Sequence, residues 1–461
     1  MISTSTIQKF SNTLNGRVIR SADPEYDETR ALWNAMVDRK PALIARCTDA
    51  ADVMEALSFA REQGLTVSVR GGGHSVAGLA SADDGIMVDL SLMRSVHVDP
   101  EARIARVEGG ALWADLDRET QAFGLATPGG IISTTGVAGL TLGGGFGWLS
   151  RMHGLSADNL VAVELITADG EHLRASETEH QDLFWAIRGG GGNFGVITSL
   201  EFRLHDVGPD VLYGPIVYRL EDAPEVLRHY RQFASQAPNE CSVNVDFLTA
   251  PPLPFLPEAV HGTKVLFIVP FFAGSVDEGE NVLRPLREFG TPVGDAVAPT
   301  PYTTAQSMVD GLYVKGAGNY WKSHNLTRLS DDIFDTLVAC AMKLPTPQSD
   351  ILIQQLGGAI NDRAPDATAY PHRDVEFVAT LGGRWEGSTN NEECIAWVRE
   401  CHDSLAEHMT AGVYVNFLSP DEEDRRRAAY GDNHERLRRI KARYDPDNFF
   451  HVNHNIEPER S

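Results

Sequence analysis

Glycine is concentrated in three short stretches of the first half of this chain. Thirteen glycines lie within positions 129–147 and 189–195, and an earlier cluster reads Arg70-Gly71-Gly72-Gly73-His74-Ser75. Glycine-rich turns let the backbone approach an anion closely and present bare N–H groups to it. Three such clusters therefore predict a large phosphate-bearing cofactor. The imidazole of His74 places a reactive side chain inside one of them.

Composition indicates a soluble protein with an acidic surface. The 461 residues are 42% hydrophobic and 23% charged, which is enough for two or more domains with buried cores. The net charge of −24 disfavours nucleic acid and anionic membranes as partners. Five cysteines without a Cys-x-x-Cys pair argue against a disulfide framework and against a zinc site. Because the chain shows neither an apolar leader nor a membrane-spanning run, a cytoplasmic location is expected.

The first half of the chain predicts short strands that alternate with helices. Residues 42–47 form an apolar strand, after which Thr48 and Asp49 can cap a helix that ends at Gly64. A strand at residues 66–69 then leads directly into the His74 turn. The remaining predicted elements are a strand at 103–107, a helix at 112–123, a hairpin of strands 160–168 and 171–175, and a strand at 196–204.

Beyond about Gly208 the glycine content falls and longer strands alternate with helices. Strand-like runs occupy residues 212–220, 264–272, 351–356, 375–381 and 413–418. Helices are predicted at 223–237, 278–289, 331–344 and 392–409, with a charged helix at 425–444. This alternation predicts a second α+β domain in which helices cover one sheet.

The glycine clusters do not fit a Rossmann fold. Residues 190–195 satisfy Gly-x-Gly-x-x-Gly, but a helical run precedes them and a strand follows. That order is the reverse of the strand, loop and helix that the dinucleotide fingerprint needs. Residues 143–147 lack the spacing, and the chain has no Gly-Lys-Ser or Gly-Lys-Thr of a P-loop.

Six segments together resemble a known flavoenzyme family. They lie at residues 69–75, 136–147, 154–159, 188–196, 414–417 and 444–450, the last followed by Asn453. These segments look like those of the berberine-bridge-enzyme-like FAD-linked oxidases, within the vanillyl-alcohol-oxidase or PCMH-type FAD-binding family. The similarity spans most of the chain, and the segments follow one another in the family's order.

The resemblance implies an α+β fold with two domains. A PCMH-type FAD-binding domain would comprise residues 1–207, and a substrate domain with an antiparallel sheet covered by helices would comprise residues 208–429. A C-terminal berberine-bridge-like segment, residues 430–461, would return to the FAD domain. In the family, the histidine that matches His74 is bonded covalently to the 8α-methyl group of FAD. A neutral imidazole is a competent nucleophile near pH 7, and an unmodified loop histidine is the alternative.

The resemblance also implies one covalent bond to the cofactor. Relatives with a second bond carry a cysteine four residues before the glycine that matches Gly136, whereas Ile132 stands there, beside Ser133. The residues that the resemblance assigns to FAD binding are Arg70, Gly71, Gly72, Gly73, His74, Ser75, Ser133, Thr134, Gly136, Gly139, Gly143, Gly144, Val196, Asn453 and Asn455. Some of these glycines can instead serve tight packing.

Catalysis needs a base that takes a proton from the substrate while hydride passes to the flavin. Tyr414 and Asn416 alternate on one face of the strand predicted at 413–418, and relatives place a base and a substrate anchor there. A core tyrosine with a satisfied hydroxyl is the alternative for Tyr414. A second polar cluster, formed by Lys315, Tyr320, Lys322 and His324, could line the same pocket or be a solvated face.

Other patterns indicate ordinary structure. Cys394, Cys401 and His408 recur with the period of a helix core face, so no metal site is expected. The basic residues of 425–443 are expected to pair with the protein's own acidic surface. His451 and His454 flank Asn453 and can either approach the flavin or be structural.

The predicted function is that of an FAD-dependent oxidase of a small organic molecule, reoxidised by O2. An amine, an alkaloid-like molecule or a hydroxylated secondary metabolite is favoured over a sugar. The alternatives are a dehydrogenase or carbohydrate oxidase of the same fold, and a flavin-binding protein without turnover. The sequence leaves the substrate and the oligomeric state open.

Overall fold

The computed structural model of the chain describes residues 2–387, 391–410 and 412–460, and its first half contains two main sheets. The strands are β1 (Arg17–Arg20), β2 (Leu43–Arg46), β3 (Val67–Arg70), β4 (Ile86–Asp89), β5 (Val96–Asp99), β6 (Ile104–Glu108), β7 (Leu125–Ala126), β8 (Leu160–Ile166), β9 (His172–Ser176), β10 (Val196–Arg203) and β11 (His205–Asp206). The first sheet has the order β1-β2-β4-β3, with β4 parallel to both of its neighbours. The second is antiparallel in the order β5-β6-β10-β8-β9, and β7 pairs with β11.

Helices connect these strands: α1 (Thr4–Ser11), α2 (Tyr26–Arg30), α3 (Ala50–Gln63), α4 (Trp113–Gln121), α5 (Val137–Leu142), α6 (Ser150–His153) and α7 (Gln181–Ile187). Helix α3 begins where the Asp49 carboxylate accepts a hydrogen bond from the N–H of Asp52, and it ends at Gly64, whose φ is +64°. Val53 and Leu57 on its inner face are fully buried. The predicted strand, helix and strand before the His74 turn are confirmed.

The second half of the chain builds one large antiparallel sheet. Its strands are β12 (Asp210–Tyr213), β13 (Ile216–Arg219), β14 (Cys241–Thr249), β15 (Lys264–Phe272), β16 (Gly294–Asp295), β17 (Ala298–Pro301), β18 (Gly318–Leu326), β19 (Asp350–Gln355) and β20 (Phe377–Trp385). The order is β16-β13-β15-β14-β19-β20-β18, and β12 pairs with β15 and β17.

Helices follow in the same half: α8 (Ala223–Ala234), α9 (Val276–Arg287), α10 (Tyr302–Ser307), α11 (Asp331–Ala341) and α12 (Asn391–Leu405). Apolar residues of α8, α9, α11 and α12 form one continuous core with alternate residues of the large sheet. The expected sheet covered by helices on one face is confirmed. The other face of the sheet is therefore available to the first half of the chain.

The C-terminal segment packs on the first half of the chain. It contains α13 (Arg426–Tyr430) and α14 (His434–Tyr444). Leu437 and Ile440 of α14 lie in the same hydrophobic core as Phe184 and Trp185 of α7. This packing agrees with a segment that returns to the cofactor domain, while the domain boundaries at 207 and 430 stay predictions.

Several predicted elements are wrong in detail. Residues 413–418 do not form a strand, because a 3₁₀ turn at Val415–Phe417 bends the chain and its side chains bond to a glycine loop instead. The helix predicted at 425–444 is broken at Gly431, whose φ is +48°. The strand at 212–220 is interrupted between β12 and β13. Strands β14 and β18 were not expected, although residues 241–247 of β14 alternate apolar and polar side chains as a half-buried strand does.

Candidate active site

A cavity of about 310 Å³ is bounded by all three glycine clusters, the large sheet and the C-terminal segment. Its volume lies within the range of natural small-molecule sites. The predicted cofactor residues that line it are Gly71, Gly72, Gly73, His74, Ser75, Gly136, Gly139 and Asn453. Both predicted catalytic residues, Tyr414 and Asn416, line it as well. The structure thus brings together residues that are up to about 380 positions apart in the chain.

Close backbone packing explains why two of the loops need glycine. A Cβ on Gly72 would lie 2.5 Å from the backbone nitrogen of Gly136, so the first two glycine clusters touch through their main chains. Gly73 has a φ of +72°, which side-chain-bearing residues rarely adopt. A Cβ on Gly143 would overlap the Asn416 side chain. Gly143 therefore makes room for Asn416 and does not itself reach the cavity.

The remaining predicted cofactor residues do not line the cavity, and their role stays a prediction: Arg70, Ser133, Thr134, Gly143, Gly144, Val196 and Asn455. Arg70 faces the carboxylate of Asp89, with 3.9 Å between Nε and Oδ1. The Ser133 hydroxyl and N–H both donate to Asp310, at 2.5 and 2.9 Å. Val196 packs in a hydrophobic core.

His74 is held as a neutral imidazole at the cavity edge. Its ring stacks on the indole of Trp33, with 4.9 Å between ring centroids. Its Nε2 lies 3.1 Å from the hydroxyl oxygen of Thr134, and Nδ1 makes no hydrogen bond within the described part of the chain. Burial, aided by the charge of Lys315, lowers the pKa of His74 to about 4. The ring is therefore uncharged at neutral pH.

Tyr414 and Asn416 converge on the second glycine cluster. The Gly145 N–H donates to the Tyr414 hydroxyl oxygen at 3.1 Å, and Asn416 Nδ2 donates to the same oxygen at 2.8 Å. Asn416 Nδ2 also donates to the Leu140 carbonyl at 3.0 Å. Because a carbonyl can only accept, that contact fixes the orientation of the amide. Burial raises the pKa of Tyr414, and the two donated hydrogen bonds oppose this rise.

A row of aromatic rings leads from His74 to Tyr414, and we call it the aromatic row. Trp33 lies 5.9 Å from Trp321, Trp321 lies 5.9 Å from Phe417, and Phe417 lies 4.9 Å from Tyr414, all measured between ring centroids. All of these residues line the cavity. No local pattern marked Trp33 or Trp321, since only folding brings them beside the glycine loops.

The second predicted polar cluster has three residues on β18, Tyr320, Lys322 and His324. None of these three lines the cavity. Tyr320 donates to Asp421 at 2.8 Å, and the Lys322 nitrogen lies 3.5 Å from the same carboxylate. His324 bonds the backbone of His402. Neighbouring residues of a strand point to opposite faces, so Trp321 faces the cavity and its neighbours do not. The prediction that this part of the cluster lines the pocket is wrong.

Lys441 ties the C-terminal signature to the third glycine cluster. Its fully buried ammonium donates to the carbonyls of Asn193 and Phe450 at 2.7 and 2.9 Å and pairs with buried Asp445 at 2.6 Å. Asn453 beyond it donates to the Gly192 carbonyl at 3.1 Å. The Asn453 side-chain oxygen is buried at the cavity without a described partner. This oxygen can accept a hydrogen bond from a ring N–H of a bound cofactor.

Of the remaining patterns, the cysteines and the basic residues occupy structural positions. Cys394 and Cys401 lie in the hydrophobic core of the large sheet, whereas His408 lies beyond α12 in a 3₁₀ turn. Within the described residues, no three His, Cys, Asp or Glu side chains are placed to hold a metal ion. Arg443 pairs with Asp182 on the protein's own surface. His454 lines the cavity and His451 is exposed.

No helix in residues 2–387, 391–410 and 412–460 combines the length and apolar character that crossing a membrane requires.

The fold and the cavity define a two-domain FAD-binding oxidoreductase. Residues 41–176 match a family model described as an FAD binding domain, and residues 413–457 match one described as berberine and berberine like. The chain is 32% identical over 460 residues to the FAD-linked oxidoreductase YgaK of Bacillus subtilis, covering 97% of this chain and 98% of that relative.

Two further comparisons concern nicotine oxidases. The chain is 31% identical to (R)-6-hydroxynicotine oxidase of Paenarthrobacter nicotinovorans, covering 97% of this chain and 98% of that enzyme. The crystal structure of 6-hydroxy-D-nicotine oxidase from Arthrobacter nicotinovorans superposes with a TM-score of 0.88 at 27% identity, covering all of both chains. The chain therefore belongs to the berberine-bridge-like family of FAD-linked oxidoreductases.

Proposed function

We propose that this protein is an oxidase that transfers hydride from a small organic substrate to FAD, and that O2 reoxidises the reduced flavin. The substrate is an amine or alkaloid-like molecule, or a hydroxylated secondary metabolite. The relationship to an enzyme named for hydroxynicotine and the aromatic row along the cavity both support this class. The five cysteines are free and buried, which fits the proposed cytoplasmic location.

The residues present fit a flavin that is tethered once, through His74. A neutral imidazole can use Nδ1 as the nucleophile if the ring proton sits on Nε2, where it is donated to Thr134. Ile132 lines the cavity at the position where a second tether would need a thiol. Cys47, Cys241, Cys340, Cys394 and Cys401 all lie outside the cavity wall.

Tyr414 is the proposed base, and the observation that carries the proposal is the pair of N–H groups on its oxygen. Gly145 and Asn416 both donate to this oxygen, so they stabilise the phenolate that a base requires. When bound, FAD supplies the hydride acceptor. Tyr414 takes the proton from the substrate O–H or N–H, and the aromatic row excludes water from the reacting carbon.

Three observations test this proposal together. The purified protein should be yellow, and an anaerobic screen of amines and phenolic or alcoholic metabolites should find compounds that bleach the flavin. Mixing the reduced enzyme with aerated buffer in a stopped-flow instrument should restore the colour rapidly. Slow reoxidation by O2 combined with fast reoxidation by a quinone would identify a dehydrogenase instead. A protein that binds FAD but is bleached by no compound would contradict the oxidase proposal.

A further inference from the structure

A line of polar side chains crosses the large sheet on the same face as Trp321 and Gln354, which line the cavity. Ser323 of β18 pairs in register with Thr380 of β20, Thr380 with Leu352 of β19, and Leu352 with Asp246 of β14. We call Ser323, Thr380 and Asp246 the polar row. Because residues alternate along a strand, the row shares its face with Gln354, which lines the cavity. The opposite face of these strands is packed against helices.

The polar row has unmet hydrogen-bonding capacity. Ser323 Oγ, Thr380 Oγ1 and Asp246 Oδ1 are buried and have no hydrogen-bond partner among the described residues. Each such atom costs about 1–3 kcal/mol if it stays unpaired. Although they lie in the middle of the sheet, Asp246 and Thr380 are each 9% exposed to solvent, so a solvent-accessible space lies above them. A ligand in that space would supply the missing partners.

Asp246 differs from its acidic neighbour in having no counter-ion. Asp350 accepts a hydrogen bond from the Tyr313 hydroxyl at 2.6 Å and lies 3.6 Å from the guanidinium of Arg384. Within the described chain no cation pairs with Asp246. Burial and the charge of Asp350 raise the pKa of Asp246, although Arg384 opposes this rise. A cation bound beside Asp246 would replace the proton that this raised pKa favours, and it would balance the carboxylate that Arg384 leaves unpaired.

We infer that Asp246 anchors a positively charged nitrogen of the substrate, which makes the substrate a cationic amine. The inference rests on the proposed function and narrows its substrate class. The ammonium donates to Asp246 and to the hydroxyl oxygens of Thr380 and Ser323. The aromatic row supplies ring faces that favour a cation and an aromatic skeleton. The carbon that is oxidised lies at the Tyr414 end, so Asp246 is a specificity residue that does not take part in the hydride transfer.

The test compares a cation with its neutral counterpart on the purified holoprotein. Calorimetric titration at pH 7 measures the Kd of phenethylammonium and of 2-phenylethanol, which share ring and chain length. Phenethylammonium should bind at least about 10-fold more tightly. Asp246→Asn keeps the shape but removes the charge, and it should weaken phenethylammonium about 10- to 100-fold, the range for losing a hydrogen bond to a charged group. The Kd of 2-phenylethanol should change less than about 2-fold.

Asp117→Asn is the matched control. Asp117 is another buried carboxyl without a cation, but it lies in α4 and bonds to Gln306 of α10 at 3.1 Å, away from the polar row. Its substitution should leave both Kd values unchanged. Equal binding of the two probes by the parent protein would overturn the inference, and that comparison needs no variant. Calorimetry measures the preference for the cation with or without flavin. A colourless protein that still binds the cation more tightly would contradict the proposed oxidase function and support Asp246 as the cation anchor.

Discussion

Asn416 donates a hydrogen bond of 2.8 Å to the hydroxyl oxygen of Tyr414, two residues before it in the same 3₁₀ turn. The Leu140 carbonyl fixes the amide so that only its N–H groups face that oxygen. Gly145 adds a second donor from the glycine loop. Ionisation costs less free energy for a phenol whose oxygen receives two hydrogen bonds than for one that receives none. The turn and the glycine loop together therefore prepare Tyr414 to act as a base.

Replacing Tyr414 by Phe should slow flavin reduction by about 10²-fold or more, the usual scale for losing a general base. The measurement is single-turnover reduction under anaerobic conditions with a substrate from the bleaching screen. Tyr370→Phe is the matched control, because Tyr370 is a buried tyrosine beside Tyr414 whose hydroxyl has no described partner. A Tyr414→Phe enzyme that reduces its flavin at the parent rate would show that Tyr414 only packs.

The rate of flavin reduction should rise with pH through the alkaline range. Burial raises the pKa of Tyr414 above its ordinary value, so the phenolate fraction grows only as the pH climbs towards that pKa. Removing the Asn416 donor by Asn416→Ala should raise the pKa further and move the pH profile upward by about 1 pH unit, since a hydrogen bond to a charged group contributes about 1.5 kcal/mol or more. If Asn416→Ala and the parent have the same pH profile, the Asn416 amide does not influence the pKa of Tyr414.

The flavin should stay with the protein after acid precipitation, bound to one peptide that contains His74. His74→Ala should release all FAD into the supernatant, whereas His451→Ala, which alters an exposed histidine, should not. Thr134→Val should slow formation of the bond, because it removes the acceptor that holds the ring proton on Nε2. Mass spectrometry of the flavin peptide decides the number of tethers. Any flavin bonded to a cysteine would contradict the single tether.

Removing the buried ammonium of Lys441 should destabilise the fold by about 3–5 kcal/mol, because it leaves the Asp445 carboxylate buried without its cation. The free energy of unfolding of Lys441→Met, measured by urea titration, tests this. Lys343→Met is the control, since Lys343 pairs with Glu400 on the surface with both side chains more than 60% exposed. That change should cost no more than about 1 kcal/mol. If both variants lose a similar free energy of unfolding, burial of the Lys441–Asp445 pair does not explain the loss.

Asp117 should make the fold less stable as the pH rises. Burial raises its pKa to about 7, whereas its ordinary value is 3.8. The folded state therefore keeps this proton while the unfolded state loses it, so the stabilisation is complete below about pH 4 and is lost as the pH rises to 7. Asp117→Asn removes this titration. The unfolding midpoint of the variant relative to the parent should increase between pH 4 and pH 7, and a constant difference would show that Asp117 ionises normally.

The local sequence determined the parts of this protein that depend on neighbours in the chain. The His74 turn and helix α3, with its Asp49 cap and its end at Gly64, follow from short-range chemistry, whereas the six family segments were identified by resemblance. Glycine conformations, caps and hydrophobic periods act within a few residues, so a single chain reveals them.

The tertiary structure alone decided which side chains face the cavity. Tyr414 and Asn416 were expected on a strand, yet a 3₁₀ turn brings them together because their hydrogen bonds go to the glycine loop. Trp321 faces the cavity whereas Lys322 does not, since the register of β18 sets the face of each residue. Only the fold shows that the Asp246 carboxyl in the middle of the sheet is buried without a counter-ion among the described residues. Contacts between distant segments depend on packing across the whole chain, which local patterns do not encode.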